Sequence, residues 1–147
     1  MIMSPISIPD AIPHRGPMLL LDEVVSCSDD TIVCRKTFRS DEFFLQGHFP
    51  DFPLVPGVIL CECAMQAGGV LLAQRSGENQ GMPVATRMDQ VRFRRMIRPG
   101  ETIEIEVQLR DQVSQAYYLE GRIRCDGKVA ARLEFACTLS GVPDQDV

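Results

Sequence analysis

The chain has 147 residues, 45% of them apolar and 24% charged, with a net charge of −5. That is long enough for one domain with a real core and too ordinary in charge for disorder. The acidic balance argues against general nucleic-acid binding, which shows as a basic excess.

Six cysteines and two histidines make a standard zinc set improbable, and none of the cysteines forms a C-x-x-C pair. Cys27, Cys34, Cys61, Cys63, Cys125 and Cys137 read as buried, reduced thiols of a cytoplasmic protein. No basic region precedes an apolar core at the N-terminus, so no signal peptide is expected.

Residues 1–17 are irregular and proline-rich, with one helical turn near Pro9 to Ile12 and an ending at His14-Arg15-Gly16-Pro17. Met18 to Cys27 reads as a strand, Ser28-Asp29-Asp30 as a turn and Thr31 to Phe38 as a second strand, together a hairpin. Ser40-Asp41-Glu42 reads as the cap and first turn of a short helix leading to Phe43, Phe44 and Leu45. Then comes Gly47-His48-Phe49-Pro50-Asp51-Phe52-Pro53-Leu54-Val55-Pro56-Gly57. Prolines at every third position suit an extended, polyproline-like path, and one of its X-Pro bonds is a candidate for the cis form. They stiffen the loop, so His48 is held at low entropic cost.

Pro56 is welcome at a helix start, and the helix is expected over Gly57 to Arg75 with Ser76-Gly77 as its stop. It is apolar nearly all round, so it should be enclosed by protein rather than by lipid, and no membrane partner is expected. Glu78 to Pro83 reads as a loop. Strands follow at Val84 to Phe93, Glu101 to Arg110, Gln115 to Cys125 and Lys128 to Leu139, with turns at Arg98-Pro99-Gly100 and Asp126-Gly127. Ile103, Ile105, Val107 and Leu109 alternate with polar residues, as do Val129, Ala131, Leu133, Phe135, Cys137 and Leu139. Residues 140–147 read as a frayed tail. The sum is an α+β domain over 1–147: one long helix wrapped by a mostly antiparallel sheet of five to six strands. An exposed edge strand makes a dimer the expectation.

Two ionisable residues stand out. His48 sits in the stiff loop, and Glu62 is the one charged side chain in the apolar run 58–73. A loop histidine is usually structural, and a lone helix glutamate is often a buried partner of an arginine. A base and an acid placed around a Pro-Gly helix start favour an active site over either alone. His14, beside Pro13 and Arg15, reads as structural.

These residues resemble a known family. Gly47-His48-Phe49-Pro50, Pro53, Pro56-Gly57-Val58, Glu62 and Ala64-Met65-Gln66-Ala67-Gly68-Gly69 are similar to the (3R)-3-hydroxyacyl carrier-protein dehydratases of type II fatty-acid synthesis. So are Pro13-His14-Arg15, Leu20-Leu21-Asp22, Val91-Arg92-Phe93-Arg94-Arg95 and Pro99-Gly100-Glu101. The resemblance implies the hotdog fold and an obligate homodimer with two shared sites, often assembled as a trimer of dimers. It implies no cofactor and no metal, the substrate riding on the phosphopantetheine arm of acyl carrier protein. It places the catalytic pair on His48 and Glu62, from opposite subunits, and the thioester carbonyl on the Gly57 N–H. Glu62 rather than Asp favours the dehydratase-only branch over the dehydratase/isomerases. Gly16, Asp51, Met96, Cys61 and Cys63 depart from the usual family residues.

The chemistry matches these residue types. Dehydration needs a base for the C2 proton, an acid for the C3 hydroxyl, and donors for charge growing on the thioester oxygen. Neutral imidazole suits the first, a protonated Glu62 the second, and the free N–H groups of a helix start the third. Gln66, one turn after Glu62, is expected to orient it. Phe49, Pro56 and Val58 are candidate substrate contacts. Arg92, Arg94, Arg95 and Arg98, with Arg87, form a basic patch opposed by Asp89 alone, a candidate dock for an acidic carrier protein. A hotdog thioesterase, a non-catalytic acyl-binding or scaffolding subunit, and a coenzyme A ester hydratase are the alternatives.

Overall fold

The computed structural model describes residues 5–75 and 82–140. The expected stop at Ser76-Gly77, most of the loop after it and the tail beyond residue 140 lie outside those residues. A short helix α1 (Ile8–Ala11) is followed by β1 (Glu23–Cys27), β2 (Thr31–Thr37) and a 3₁₀ turn at Phe43–Leu45. Then come the long helix α2 (Gly57–Arg75) and strands β3 (Met82–Phe93), β4 (Thr102–Val113), β5 (Ala116–Cys125) and β6 (Lys128–Ser140).

The six strands form one antiparallel sheet in the order β1-β2-β4-β5-β6-β3. β4, β5 and β6 follow one another as hairpins, and Asp126 (φ 53°) and Gly127 (φ 77°) supply the left-handed pair for the tight turn between the last two. β3 pairs with β6 on one side and lies at the sheet edge on the other. The alternation in β4 works as expected: Ile103, Ile105 and Val107 are fully buried against α2 while Glu104 faces out. Each such side chain contributes about 1.5–3 kcal/mol on burial.

α2 lies close on the sheet because small residues meet there. A Cβ on Gly68 would stand 2.8 Å from the Phe135 ring, and one on Gly121 would stand 3.0 Å from Ala64. The helix is long and apolar enough to cross a membrane by length and composition, but most of it is buried inside this sheet. Helix wrapped by sheet is the hotdog arrangement.

Several expectations need correction. Met18 to Asp22 is not strand. Gln66 takes its backbone groups instead: Leu20 N–H donates to Gln66 Oε1 at 3.0 Å, and Gln66 Nε2 donates to the Met18 carbonyl at 2.8 Å. The ladder begins only where Asp22 N–H reaches the Arg35 carbonyl. The 3₁₀ turn has no side-chain cap, because Glu42 points inward to Lys36 at 2.8 Å. The loop is free of turns and bends only over 53–56. Gly47 (φ 77°) and Phe49 (φ 52°) turn the chain before that, with Phe52 N–H bonded to the Phe49 carbonyl. The cis bond is Gly16–Pro17 rather than one in this loop. Met82 and Pro83 belong to β3.

Candidate active site

His48 is built into the turn after the 3₁₀ segment. Its own N–H donates to the Leu45 carbonyl, and the loop is tied down further on by Val55 N–H to the Ile97 carbonyl at 2.8 Å. The ring is oriented by two contacts. Nδ1 lies 2.9 Å from the Leu54 carbonyl, and the Phe49 ring packs edge-on at 4.6 Å. A carbonyl only accepts, so Nδ1 carries the proton and Nε2 presents a lone pair. That is the tautomer of a base.

Pro56 starts α2. Its carbonyl takes the Ile59 N–H, and no acceptor for the N–H groups of Gly57 or Val58 is found among the described residues. These are the orphan donors of a helix N-terminus, at the positive end of its dipole. Val58 is exposed, and the Phe93 ring lies over Gly57, 2.8 Å from where a Cβ would be.

Glu62 is one turn into the helix. Gln66 Nε2 donates to its Oε2 at 2.9 Å, as the four-residue spacing predicts. Gln66 is itself 1% exposed, with its amide held by the Met18 and Leu20 backbone. The same oxygen, Oε2, lies 3.4 Å from His14 Nε2. No arginine is within ion-pair distance of Glu62 among the described residues, so the buried Arg-Glu alternative fails. His14, read as structural from its sequence neighbours, stands against the acid. The tertiary contact was invisible because 48 residues separate them.

Glu62, His14 and Gln66 form the polar end of a cavity of about 320 Å³ whose other walls include Ile12, Met65, Val84, Ala85 and Cys137. His48 is not among its lining residues. Within one chain the base and the acid are therefore not brought into one cavity.

Burial disfavours the thiolate form of the thiols beside Glu62. Burial pushes Cys61 and Cys63 up, as it does Cys137, to about 11, and Cys34, to about 12. The one group of candidate metal ligands among the described residues is Glu101, Cys125 and Asp126. Arg95 already occupies it, 3.6 Å from Glu101 and 3.4 Å from Asp126. The basic patch is accordingly uneven: Arg95 is paired, Arg87 bonds Asp89 at 2.6 Å, and Arg98 stacks on Phe52 at 4.3 Å. Arg92 and Arg94 have no ion-pair partner among the described residues.

Comparison with known proteins bears on the family and the fold. The FabA-like domain family matches residues 12–134. The 3-hydroxyacyl-[acyl-carrier-protein] dehydratase FabZ of Streptococcus pyogenes serotype M5 is 40% identical over 130 residues, 86% of this chain and 93% of that protein. The FabZ of Clostridium perfringens strain SM101 is 34% identical over 128 residues, 83% and 92% of the two chains. Among solved structures, the dehydratase heterocomplex ApeI:P from Xenorhabdus doucetiae superposes with a TM-score of 0.80 at 24% identity, covering 98% of this chain and 94% of that one. The E. coli PaaI protein of the phenylacetic acid degradation operon gives 0.64 at 21% identity, over 78% and 80%. At those identities the structures establish the shared fold.

Proposed function

As the chain belongs to the FabA-like family, we propose that it removes water from (3R)-3-hydroxyacyl carrier-protein thioesters, giving trans-2-enoyl thioesters for fatty-acid or related acyl synthesis. It is a hydro-lyase. One observation carries the reading at the level of the site: Glu62 is the carboxyl at the polar end of an otherwise largely apolar cavity, hydrogen-bonded by Gln66 and without a neutralising arginine or lysine among the described residues. A 3-hydroxyl entering that cavity meets an acid.

In the proposed step, His48 Nε2 takes the C2 proton. The electron pair moves toward the thioester carbonyl, whose oxygen is held by the Gly57 and Val58 N–H groups at the start of α2. Removing one such donor typically costs on the order of 10²–10³ in rate. The pair then returns to form the C2=C3 bond, the C3–O bond breaks, and Glu62 protonates the departing hydroxyl to water. The proton on His48 is passed back toward Glu62 before the next turnover. The elimination is redox-neutral and each of its demands has a residue here, so we assign it no cofactor.

The partner protein in this reading is acyl carrier protein, docked by Arg92 and Arg94, with Arg95 and Arg98 turned to structural contacts. The assembly is a homodimer, with trimer of dimers as its larger form. Two features support it: His48 lies outside the Glu62 cavity, and β3 has a free edge and carries exposed Met88, Val91 and Phe93, with Phe49 and Phe52 of the His48 loop exposed as well. A buried α2 fits a soluble, cytoplasmic enzyme.

The test is enoyl formation from 3-hydroxyacyl carrier protein by the wild type, His48→Ala and Glu62→Gln. Both variants are expected to lose at least about 10²-fold in kcat, since each removes a proton-transfer group. Full activity in either variant would sink the mechanism, and release of free thiol without enoyl product would make the protein a thioesterase.

A further inference from the structure

His14 lies on the loop between α1 and β1, outside the catalytic pair. Its Nε2 is 3.4 Å from Glu62 Oε2, and its Nδ1 is buried with no partner among the described residues. This polarity has one consistent assignment. With the proton on Nε2, the ring offers a donor to the carboxyl and leaves only an acceptor unpaired at Nδ1. The reverse would set two lone pairs against each other and bury an N–H with no acceptor, the costlier arrangement.

Gln66 donates to the same Oε2 at 2.9 Å, and its amide cannot be turned round. Its Oε1 is held by the Leu20 N–H and its Nε2 by the Met18 carbonyl. The Gln66 amide and the His14 ring, from two different elements, therefore converge on one oxygen of Glu62, Gln66 through a hydrogen bond at 2.9 Å and His14 through a contact at 3.4 Å. No protein donor reaches Oε1 among the described residues.

The His14 loop is itself tied. The Arg15 guanidinium bonds the carbonyls of Pro9 at 2.9 Å, Ile12 at 2.9 Å and His14 at 2.7 Å, closing the backbone on both sides of the ring. Ile12, two residues before it in the chain, is buried in the core. A contact of 3.4 Å is longer than a tight hydrogen bond, and such active-site contacts commonly shorten in the substrate complex.

We infer that His14 is a positioning residue for the dehydration: with Gln66 it saturates Glu62 Oε2, so that the transferable proton resides on Oε1, aimed at the substrate hydroxyl. This rests on the proposed role of Glu62 as the acid. Oε2 accepts two N–H groups whether or not Oε1 is protonated, so the carboxyl keeps one orientation before and after the proton leaves. The step itself is unchanged: Oε1–H breaks, the C3 hydroxyl gains the proton, and water departs.

Steady-state kinetics on 3-hydroxyacyl carrier protein test this with His14→Leu, which fills the space without a donor, and His14→Gln, which restores an N–H near the Nε2 position. His14→Leu is expected to lower kcat about tenfold, the worth of one hydrogen bond to an ionisable group, with KM changed by less than about twofold. His14→Gln is expected to return kcat to within about threefold of wild type. Wild-type kcat in His14→Leu overturns the proposal, as does a loss confined to KM, which would make His14 only a wall of the cavity. Equal loss in both variants, accompanied by an equal fall in thermal midpoint, overturns it in favour of packing. Glu62→Gln run alongside separates the two readings: if it stays active the acid assignment falls and this inference with it, whereas an inactive Glu62→Gln beside a fully active His14→Leu removes His14 alone.

Discussion

At His48 the Leu54 carbonyl accepts a hydrogen bond from Nδ1–H and leaves Nε2 open, so one hydrogen bond of 2.9 Å decides which nitrogen is free to act as a base. The arginines of β3 and the turn after it divide in the same local way. Arg95 is committed to Glu101 and Asp126, Arg87 to Asp89 and Arg98 to the Phe52 face, which leaves Arg92 and Arg94 as the exposed, uncommitted charges among the described residues. If these two steer an acidic carrier protein, the double reversal Arg92→Glu/Arg94→Glu lowers kcat/KM for carrier-protein substrates by about tenfold or more, most strongly at low salt. The same variant leaves turnover of a small thioester mimic unchanged. Comparing the two substrates on one preparation checks it, and equal loss on both would mean that the charges serve the fold.

Among the elements, β2 and the segment leading to His48 are joined by an ion pair that strand alternation did not reveal. Lys36 points to the inner face of the sheet, 5% exposed, and meets Glu42, 7% exposed, at 2.8 Å. Glu42 also accepts the Arg39 N–H, and the Lys36 ammonium stands over the Phe38 ring at 5.6 Å. This clamp holds the start of the 3₁₀ turn, and hence the root of the His48 loop, to the sheet. Removing one partner strands a buried charge, so Glu42→Ala is expected to cost roughly 3–5 kcal/mol of stability. Replacing both, as Lys36→Met with Glu42→Leu, is expected to recover most of that loss, because the desolvation cost of the pair disappears with its attraction. Urea unfolding of the two variants measures the difference; a double variant as unstable as Glu42→Ala would show that packing, not charge, holds the turn. Gln66 is the corresponding device on α2: it ties the Met18 to Leu20 segment to the helix and the helix acid to both.

For the molecule as a whole, an edge strand with exposed apolar side chains and a base outside the acid's cavity point the same way. If the two halves of each site come from different chains, His48→Ala and Glu62→Gln are each inactive alone but complement one another. After the two are mixed and allowed to exchange subunits, about half of the dimers are mixed and each has one intact site, so about a quarter of wild-type activity returns. Activity after unfolding and refolding the mixture together reads this directly. Silence despite the formation of mixed dimers would place both residues of a site in one chain.

Local chemistry is where the chain was legible. The alternation of Ile103, Ile105 and Val107, the turn at Asp126-Gly127, the start of α2 at Gly57, and the spacing of Glu62 to Gln66 all depend on neighbours within a few residues, and each came out as read, whereas a bulge in β6 puts Ala130 rather than Val129 in the core. The pattern around His48 also carried the family. The Met18 to Asp22 segment was misread because its hydrogen-bond partner is a side chain more than forty positions away, and backbone groups take whichever acceptor the fold brings to them. Lys36 was assigned no role because strand alternation does not show that a carboxylate, here Glu42 six residues on, will turn inward to meet a buried lysine. His14 shows the division most clearly. Its identity and its neighbours say nothing of Glu62, and only the closing of the α1 loop over the long helix places its Nε2 beside the acid. Sequence alone determined which residues have the chemistry for dehydration. The tertiary structure decided which nitrogen of His48 and which oxygen of Glu62 are left free for it, because that choice is made by hydrogen bonds between groups that meet only when the chain is folded.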